Sequence, residues 1–225
     1  MHPTGIRQTI IDRVIARRGR LHWFDRIEPA RTALLVIDMQ QTFCAPGSPA
    51  EVPQSRSIVP SINRLSARLR ALGVTIVWVL HANERAGGGS DWPMFFDHVV
   101  ADAVRERTID SLLPGRQQVW HELETAPTDL TVFKNRYSAL IAGSSPLAET
   151  LRDRGLDTLL IAGTKTNICC ESTARDAMML DYRVAMIADC CAALSDDEHR
   201  AALENVIQQF GDVYTSDELL ERLGC

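Results

Sequence analysis

The chain has 225 residues, 45% of them hydrophobic and 24% charged, a balance that fits one compact domain with ample chain for a core. Its net charge of -5 leaves no basic excess for nucleic acid, and the cluster Arg13, Arg17, Arg18 and Arg20 reads as a solvated helix face. Residues 1–16 lack the apolar stretch of a secretory signal and no later window has the ~18 uninterrupted apolar residues of a membrane span, so a cytoplasmic protein is expected.

Near the N-terminus, Ile6, Ile10, Ile11, Val14 and Ile15 recur at three- and four-residue spacing with Arg7, Asp12, Arg13 and Arg17 between them. This predicts one amphipathic helix in an extension over 1–27, docked on the core or on a neighbouring subunit, ahead of a single domain over 28–225. Thr32 to Ile37 (TALLVI) is a short unbroken apolar run ending at Asp38, the pattern of a strand covered on both faces. Ile58 to Leu72 has helical spacing and stops at Gly73, and Val74 to Leu80 (VTIVWVL) reads as a second buried strand.

Residues 83–127 break this rhythm. Gly87, Gly88 and Gly89 precede Trp92, Pro93, Phe95 and Phe96, and a long irregular excursion of this kind is expected to cover a site. The rhythm resumes with a strand at Asp129 to Phe133, a helix over Pro146 to Arg154, a strand at Thr158 to Ala162 and a helix from Cys169 to Leu180. A strand at Val184 to Ala188, a helix over Asp196 to Phe210 and a last short strand at Asp212 to Tyr214 complete the chain. The order implies an α/β fold: Rossmann-like, doubly wound and three-layered, with a mainly parallel sheet of about six strands.

Ligands of such sheets bind beyond the carboxyl ends of the strands, and three reactive residues lie there: Asp38, Lys134 and Cys169. Taken singly, each has a plain structural role: a helix cap, a solvated charge and a small buried thiol. The six cysteines, Cys44, Cys169, Cys170, Cys190, Cys191 and Cys225, include no C-x-x-C pair, and no metal-ligand spacing of Cys and His is present. Together the three residues suit acyl transfer. A helix N-terminus and a nearby cation are expected to lower the thiol pKa, a covered carboxylate to rise toward the useful range, and the turn Gly163 to Cys170 to offer backbone donors to an oxyanion.

The segments LLVIDMQ (Leu34 to Gln40), FKNRYSAL (Phe133 to Leu140) and GTKTNICCESTARDA (Gly163 to Ala177) resemble the isochorismatase-like cysteine hydrolase superfamily, over nearly all of the chain from Ala33. The resemblance implies Asp38 as general base and acid, Lys134 as the cation assisting the thiolate, and Cys169, three residues after Thr166, as nucleophile. It implies a cis peptide between Thr164 and Lys165 and an oxyanion held by the N–H groups of Lys165 and Cys169. The ureido and carbamoyl branch, with ureidoacrylate amidohydrolase and biuret hydrolase, is the most similar, and by that likeness Phe43, His81, Asn83, Tyr137 and Lys165 would contact substrate. Lys165 stands where many relatives have Ala. Zinc-binding relatives carry an Asp two residues before the His that follows the second strand; Val79 is there instead, so no metal or other cofactor is expected.

The expected activity is cysteine-dependent hydrolysis of a C–N bond in a small ureido, carbamoyl or biuret-like amide through a thioester, by a homo-oligomer that meets no membrane. The alternatives are a nicotinamidase- or maleamate-type amidase, an isochorismatase-type vinyl-ether hydrolase that needs no thiol, and a non-catalytic redox or binding protein in which Cys169 and Cys170 respond to oxidants.

Overall fold

The computed structural model describes residues 1–24 and 26–224; Cys225 lies outside them. In chain order the elements are α1 (Gln8–Arg18), β1 (Thr32–Ile37), α2 (Gln41–Cys44), α3 (Val59–Ala71), β2 (Thr75–His81), the two-residue strands β3 (Arg85–Ala86) and β4 (Gly89–Ser90), α4 (Pro93–His98) and α5 (Asp102–Ser111). There follow β5 (Leu130–Lys134), α6 (Leu147–Asp153), β6 (Thr158–Thr164), α7 (Glu171–Met179), β7 (Arg183–Ala192), α8 (Asp196–Gln209), β8 (Asp212–Tyr214) and α9 (Ser216–Arg222).

Six strands form one sheet in the order β5-β2-β1-β6-β7-β8, and every pairing in it is parallel. The unbroken apolar run of β1 follows from its place at the centre. Leu35 and Ile37 join the core beneath α1, α6, α7 and α8, while Leu34 and Val36 join a second core with Ile62, Leu65 and Leu69 of α3 and Leu219 of α9. Both faces are covered by helices, so neither set of side chains meets water and the strand has no polar alternation. This is the three-layer α/β fold expected from the alternation of elements.

The N-terminal helix docks on this chain's own core rather than being left for a neighbour. Ile10 and Val14 are buried with Leu203, Val206 and Ile207 of α8, and Arg7 Nε donates to Glu204 Oε1 at 2.8 Å. Ile15, counted on the apolar face, is instead 42% exposed, because only the Ile10–Val14 stripe points at α8.

Three expectations change. The excursion over 83–127 is not irregular: it holds the β3–β4 hairpin, α4 and α5. The helix expected from Cys169 starts earlier, as one wide π-type turn over Thr166–Cys170 that runs into α7. Strand β7 continues four residues past Ala188, since a register shift sets Cys191 opposite Gly163 although Met186 is opposite Ile161. The short helix α9 was not anticipated.

Strand register sets the level of the site. Ile37 lies beside both Val79 and Gly163, and His81 lies beside Lys134, so the carboxyl ends of β1, β2, β5 and β6 finish together. The chain order reverses between β1 and β6, and crevices open at such switch points. Gly163 makes the approach there possible: it has φ +114°, and a Cβ on it would lie 2.0 Å from the Ile37 carbonyl oxygen. Only glycine has the required freedom without that clash.

Candidate active site

Asp38 is the first residue past β1 and turns the chain with φ 56°, its N–H donating to the Val79 carbonyl at 2.8 Å. Lys134 closes β5 and is 1% exposed, as is Asp38. The Lys134 ammonium donates to Asp38 Oδ2 at 3.0 Å, to the Arg136 carbonyl at 3.0 Å and to His81 Nδ1 at 3.2 Å. Asp38 Oδ1 is buried without a hydrogen-bond partner among the described residues.

Cys169 reaches the same spot from the wide turn after β6. A carboxylate oxygen of Asp38, a ring nitrogen of His81 and Cys169 Sγ lie within 4.8 Å of one another. The turn is held by Ile168 N–H and Cys170 N–H, both donating to the Lys165 carbonyl, and by Thr173 Oγ1 donating to the Cys169 carbonyl at 2.7 Å. The Thr164–Lys165 peptide is cis, and the Lys165 N–H has no acceptor among the described residues.

Burial dominates the electrostatics. It raises the Asp38 carboxyl above its ordinary value despite Lys134 and Cys169. It is the largest influence on the Lys134 charge too and works against it, but Asp38 and Cys169 together outweigh it and the ammonium is held more firmly than in water. The Cys169 thiol is pushed up by burial and then by the Asp38 charge, with Lys134 opposing. The thiol pKa is therefore raised, not lowered as expected. Loss of solvation by the thiolate exceeds what one ammonium, already paired with a carboxylate, gives back. Cys169 rests as a thiol beside a carboxylate that has one oxygen free.

His81 is a neutral base. Burial, then Lys134, keeps its pKa well below the ordinary value. Its Nε2 lies 2.7 Å from Asn83 Oδ1. The ring accepts from Lys134 and donates to Asn83, so both nitrogens are engaged. This bears on the metal question, because Asp38, His81 and Cys169 would otherwise offer three donors to one ion. An ammonium hydrogen-bonded to two of them supplies the positive charge there, and the residues do not suit a metal.

Asp38, His81 and Cys169 floor a cavity of about 320 Å³ whose wall includes Phe43, Phe95, Tyr137 and Lys165. The volume is at the small end for ligand sites. Of the substrate contacts expected from sequence, Phe43, His81, Tyr137 and Lys165 reach the wall. Asn83 does not: it is fully buried, and its side chain binds His81, Asp91 Oδ1 at 2.7 Å and the Asn135 carbonyl. Asn83 orients His81 rather than facing the cavity. Lys134 likewise lies behind the wall, under Asp38.

The excursion does cover the site. Phe95, Val99, Thr108 and Leu112 from α4, α5 and their flanks line the cavity, and Trp92 packs edge-on against Tyr137 with centroids 4.7 Å apart. Sequence reasoning missed Gln40, whose side chain clamps the His81 backbone: Oε1 accepts from His81 N–H at 2.7 Å and Nε2 donates to the His81 carbonyl at 2.9 Å. Its signal was its place in LLVIDMQ, two residues after Asp38. It also missed Asp91, which holds Asn83 and Asn135 through its two carboxylate oxygens.

Known proteins resemble the chain over most of its length. It is 30% identical to ureidoacrylate amidohydrolase RutB of Pseudomonas savastanoi pv. phaseolicola, covering 86% of this chain and 84% of that protein. It is 32% identical to a probable inactive nicotinamidase of Arabidopsis thaliana, over 76% and 85% of the two chains. Among solved structures, a cysteine hydrolase from Pseudomonas syringae pv. phaseolicola superposes with a TM-score of 0.74 at 28% identity, covering 91% of this chain and 96% of that one. A family model described as an isochorismatase domain matches residues 32–218, and the chain belongs to the isochorismatase family.

Proposed function

We propose that the chain is a cysteine-dependent amidohydrolase that cleaves a C–N bond of a small ureido or carbamoyl compound through a thioester on Cys169. It is a hydrolase of non-peptide carbon–nitrogen bonds. The observation that carries the reading is the convergence of the Cys169 thiol and the Asp38 carboxylate on the floor of one cavity, with the Lys134 ammonium paired to Asp38 from behind the wall. Relatives named as ureidoacrylate amidohydrolases support the substrate class.

As Sγ bonds to the substrate carbonyl carbon, its proton passes to Asp38, whose raised pKa makes it an effective acceptor. The carbonyl oxygen takes the electron pair and is met by the Lys165 and Cys169 N–H groups. Collapse of this adduct breaks the C–N bond, and Asp38 returns the proton to the departing nitrogen. Water, deprotonated by Asp38, then attacks the thioester carbonyl; the sulfur leaves, recovers its proton, and the acid or carbamate departs. Lys134 stays charged throughout and keeps Asp38 from holding its proton too tightly.

The test is ammonia release across biuret, ureidoacrylate, carbamoyl amino acids, nicotinamide and maleamate, with intact-mass analysis of the protein in each reaction. An acyl adduct mapped to Cys169, and a substrate range weighted to ureido compounds, are the expected results. Hydrolysis that continues in Cys169→Ala would overturn the scheme and favour the vinyl-ether type of chemistry.

A further inference from the structure

The formal charges on the cavity wall are Asp38, Glu51 and Lys165. Asp38 is matched by Lys134 beneath it. Glu51 is matched by Arg56 at 2.9 Å and accepts from the Gly47 N–H at 2.8 Å. The half-buried Lys165 side chain has no hydrogen bond or ion pair with any described group. His81, the remaining basic side chain there, is neutral. Phe43, Val52, Phe95, Leu112 and Leu194 make much of the surrounding wall apolar.

A cation held against apolar surface loses part of its hydration and regains it only when an anion arrives. The position of Lys165 says where that anion would sit. Its N–H lies in the turn that faces the reacting carbonyl, so its ammonium reaches no further from that carbonyl than its own four-carbon stem allows. The anion must therefore lie a few bonds from the scissile C–N bond, in a molecule small enough for about 320 Å³. With Glu51 already neutralised, the wall offers one positive charge unmatched among the described residues.

We propose that Lys165 is a specificity residue that pairs with a carboxylate of the substrate, so that the preferred substrate is an anionic amide such as an N-carbamoyl amino acid with an apolar side chain, not a neutral urea. This rests on the hydrolase reading for the bond cleaved, but the charge preference is a binding property and is measured separately. A charge-assisted pair of this kind should favour the anion by roughly ten- to a hundredfold.

The measurement is calorimetric titration of N-carbamoylleucine and of its neutral carboxamide into the Cys169→Ala protein, with and without Lys165→Ala, Lys165→Arg and Lys165→Glu. The anion should bind more tightly than the amide by the stated factor, with the ratio collapsing toward one in Lys165→Ala, returning in Lys165→Arg and inverting in Lys165→Glu. In the protein with Cys169 intact, the same ratio should be seen in kcat/KM, carried chiefly by KM. An unchanged ratio in Lys165→Ala, or no binding of either ligand, would overturn the proposal. Charge-selective binding without turnover of either compound would instead count against the hydrolase reading alone.

Discussion

Lys134 Nζ and His81 Nδ1 lie 3.2 Å apart, and because an ammonium only donates, that contact fixes the imidazole tautomer. Nδ1 accepts, and Nε2 carries the hydrogen that Asn83 Oδ1 receives at 2.7 Å. Asn83 is held in turn by Asp91, so the direction of the Lys134 ammonium is traceable to a residue in the excursion that covers the site.

Removing the ammonium should expose how much Asp38 depends on it. In Lys134→Met the buried carboxylate loses its 3.0 Å partner, and breaking one half of a buried pair costs about 3 to 5 kcal/mol. Chemical denaturation should show that loss, and activity should fall by at least about a thousandfold, roughly 4 kcal/mol of barrier. The double variant Asp38→Asn/Lys134→Met should recover most of the stability but none of the activity. A double variant no more stable than Lys134→Met would refute the coupling.

The pH profile of kcat/KM should lack a step near the ordinary histidine pKa of about 6.5. Turnover needs Asp38 unprotonated, and burial raises its pKa, so the acid limb lies above the ordinary carboxylate range. The thiol is raised by burial, and the ammonium is raised because Asp38 and Cys169 together outweigh burial, so the alkaline limb lies beyond their ordinary values. His81 is neutral across this span. The limbs belong to the coupled set rather than to single residues. A neutral-range step that disappears in His81→Asn would show that the imidazole titrates during catalysis, contrary to this account.

Where strands are buried on both faces, an apolar run bounded by turn residues was sufficient to read them, and β1 begins and ends where its run does. Asp38, Lys134 and Cys169 were legible for a related reason: each follows a readable strand, and the fold brings strand ends together. The rest depended on tertiary context. In α5 the buried residues are Thr108 and Ile109, adjacent in sequence, so no helical stripe announces it. The bulge that extends β7 is dictated by β6 and leaves no local pattern. The α9 start carried a usable signal, since Thr215 and Glu218 form a capping box, but its run is only seven residues. The raised thiol pKa was illegible because the sequence shows the cation and the helix but not the burial.

His199 should make the protein lose stability in acid. Burial, and then the His2 charge, lowers its pKa to about 4, against about 6.5 in the unfolded chain. The unfolded state therefore binds more protons between these values, so the contribution is complete above about pH 6.5 and is lost as the pH falls through about 4. The loss by pH 4 is about 2 to 3 kcal/mol at 1.36 kcal/mol per unit. Urea denaturation from pH 7 to 4 should give a flatter curve for His199→Gln by that amount; parallel curves would refute the assignment.

Gly163→Ala should be among the most damaging single-methyl additions. Its Cβ would lie 2.0 Å from the Ile37 carbonyl oxygen and 2.6 Å from the Ile37 nitrogen, at φ +114°. Strands β1 and β6 would have to part at the residue before Asp38. A loss of about 3 kcal/mol or more is expected, or failure to fold. A melting temperature within a degree or two of the parent would contradict the packing described.

Cys169 and its neighbour Cys170 provide the sharpest comparison. Both are buried, and both thiols are raised by burial, so titration alone does not separate them. Position does: Cys169 lines the cavity beside Asp38, whereas Cys170 turns into the fold with its thiol 3.8 Å from the Ala162 carbonyl and does not reach the wall. Cys170→Ala should thus retain activity within a fewfold and lose about 1 kcal/mol of stability from the removed sulfur. Cys169→Ser should retain the fold yet lose at least about a thousandfold in turnover, since a hydroxyl is a far weaker acid and nucleophile than a thiol in the same dry site. Intact-mass spectra during turnover should show an acyl adduct in the parent and in Cys170→Ala, and none in Cys169→Ser. An adduct that moves to Cys170, or activity that survives loss of Cys169 and not of Cys170, would reassign the nucleophile.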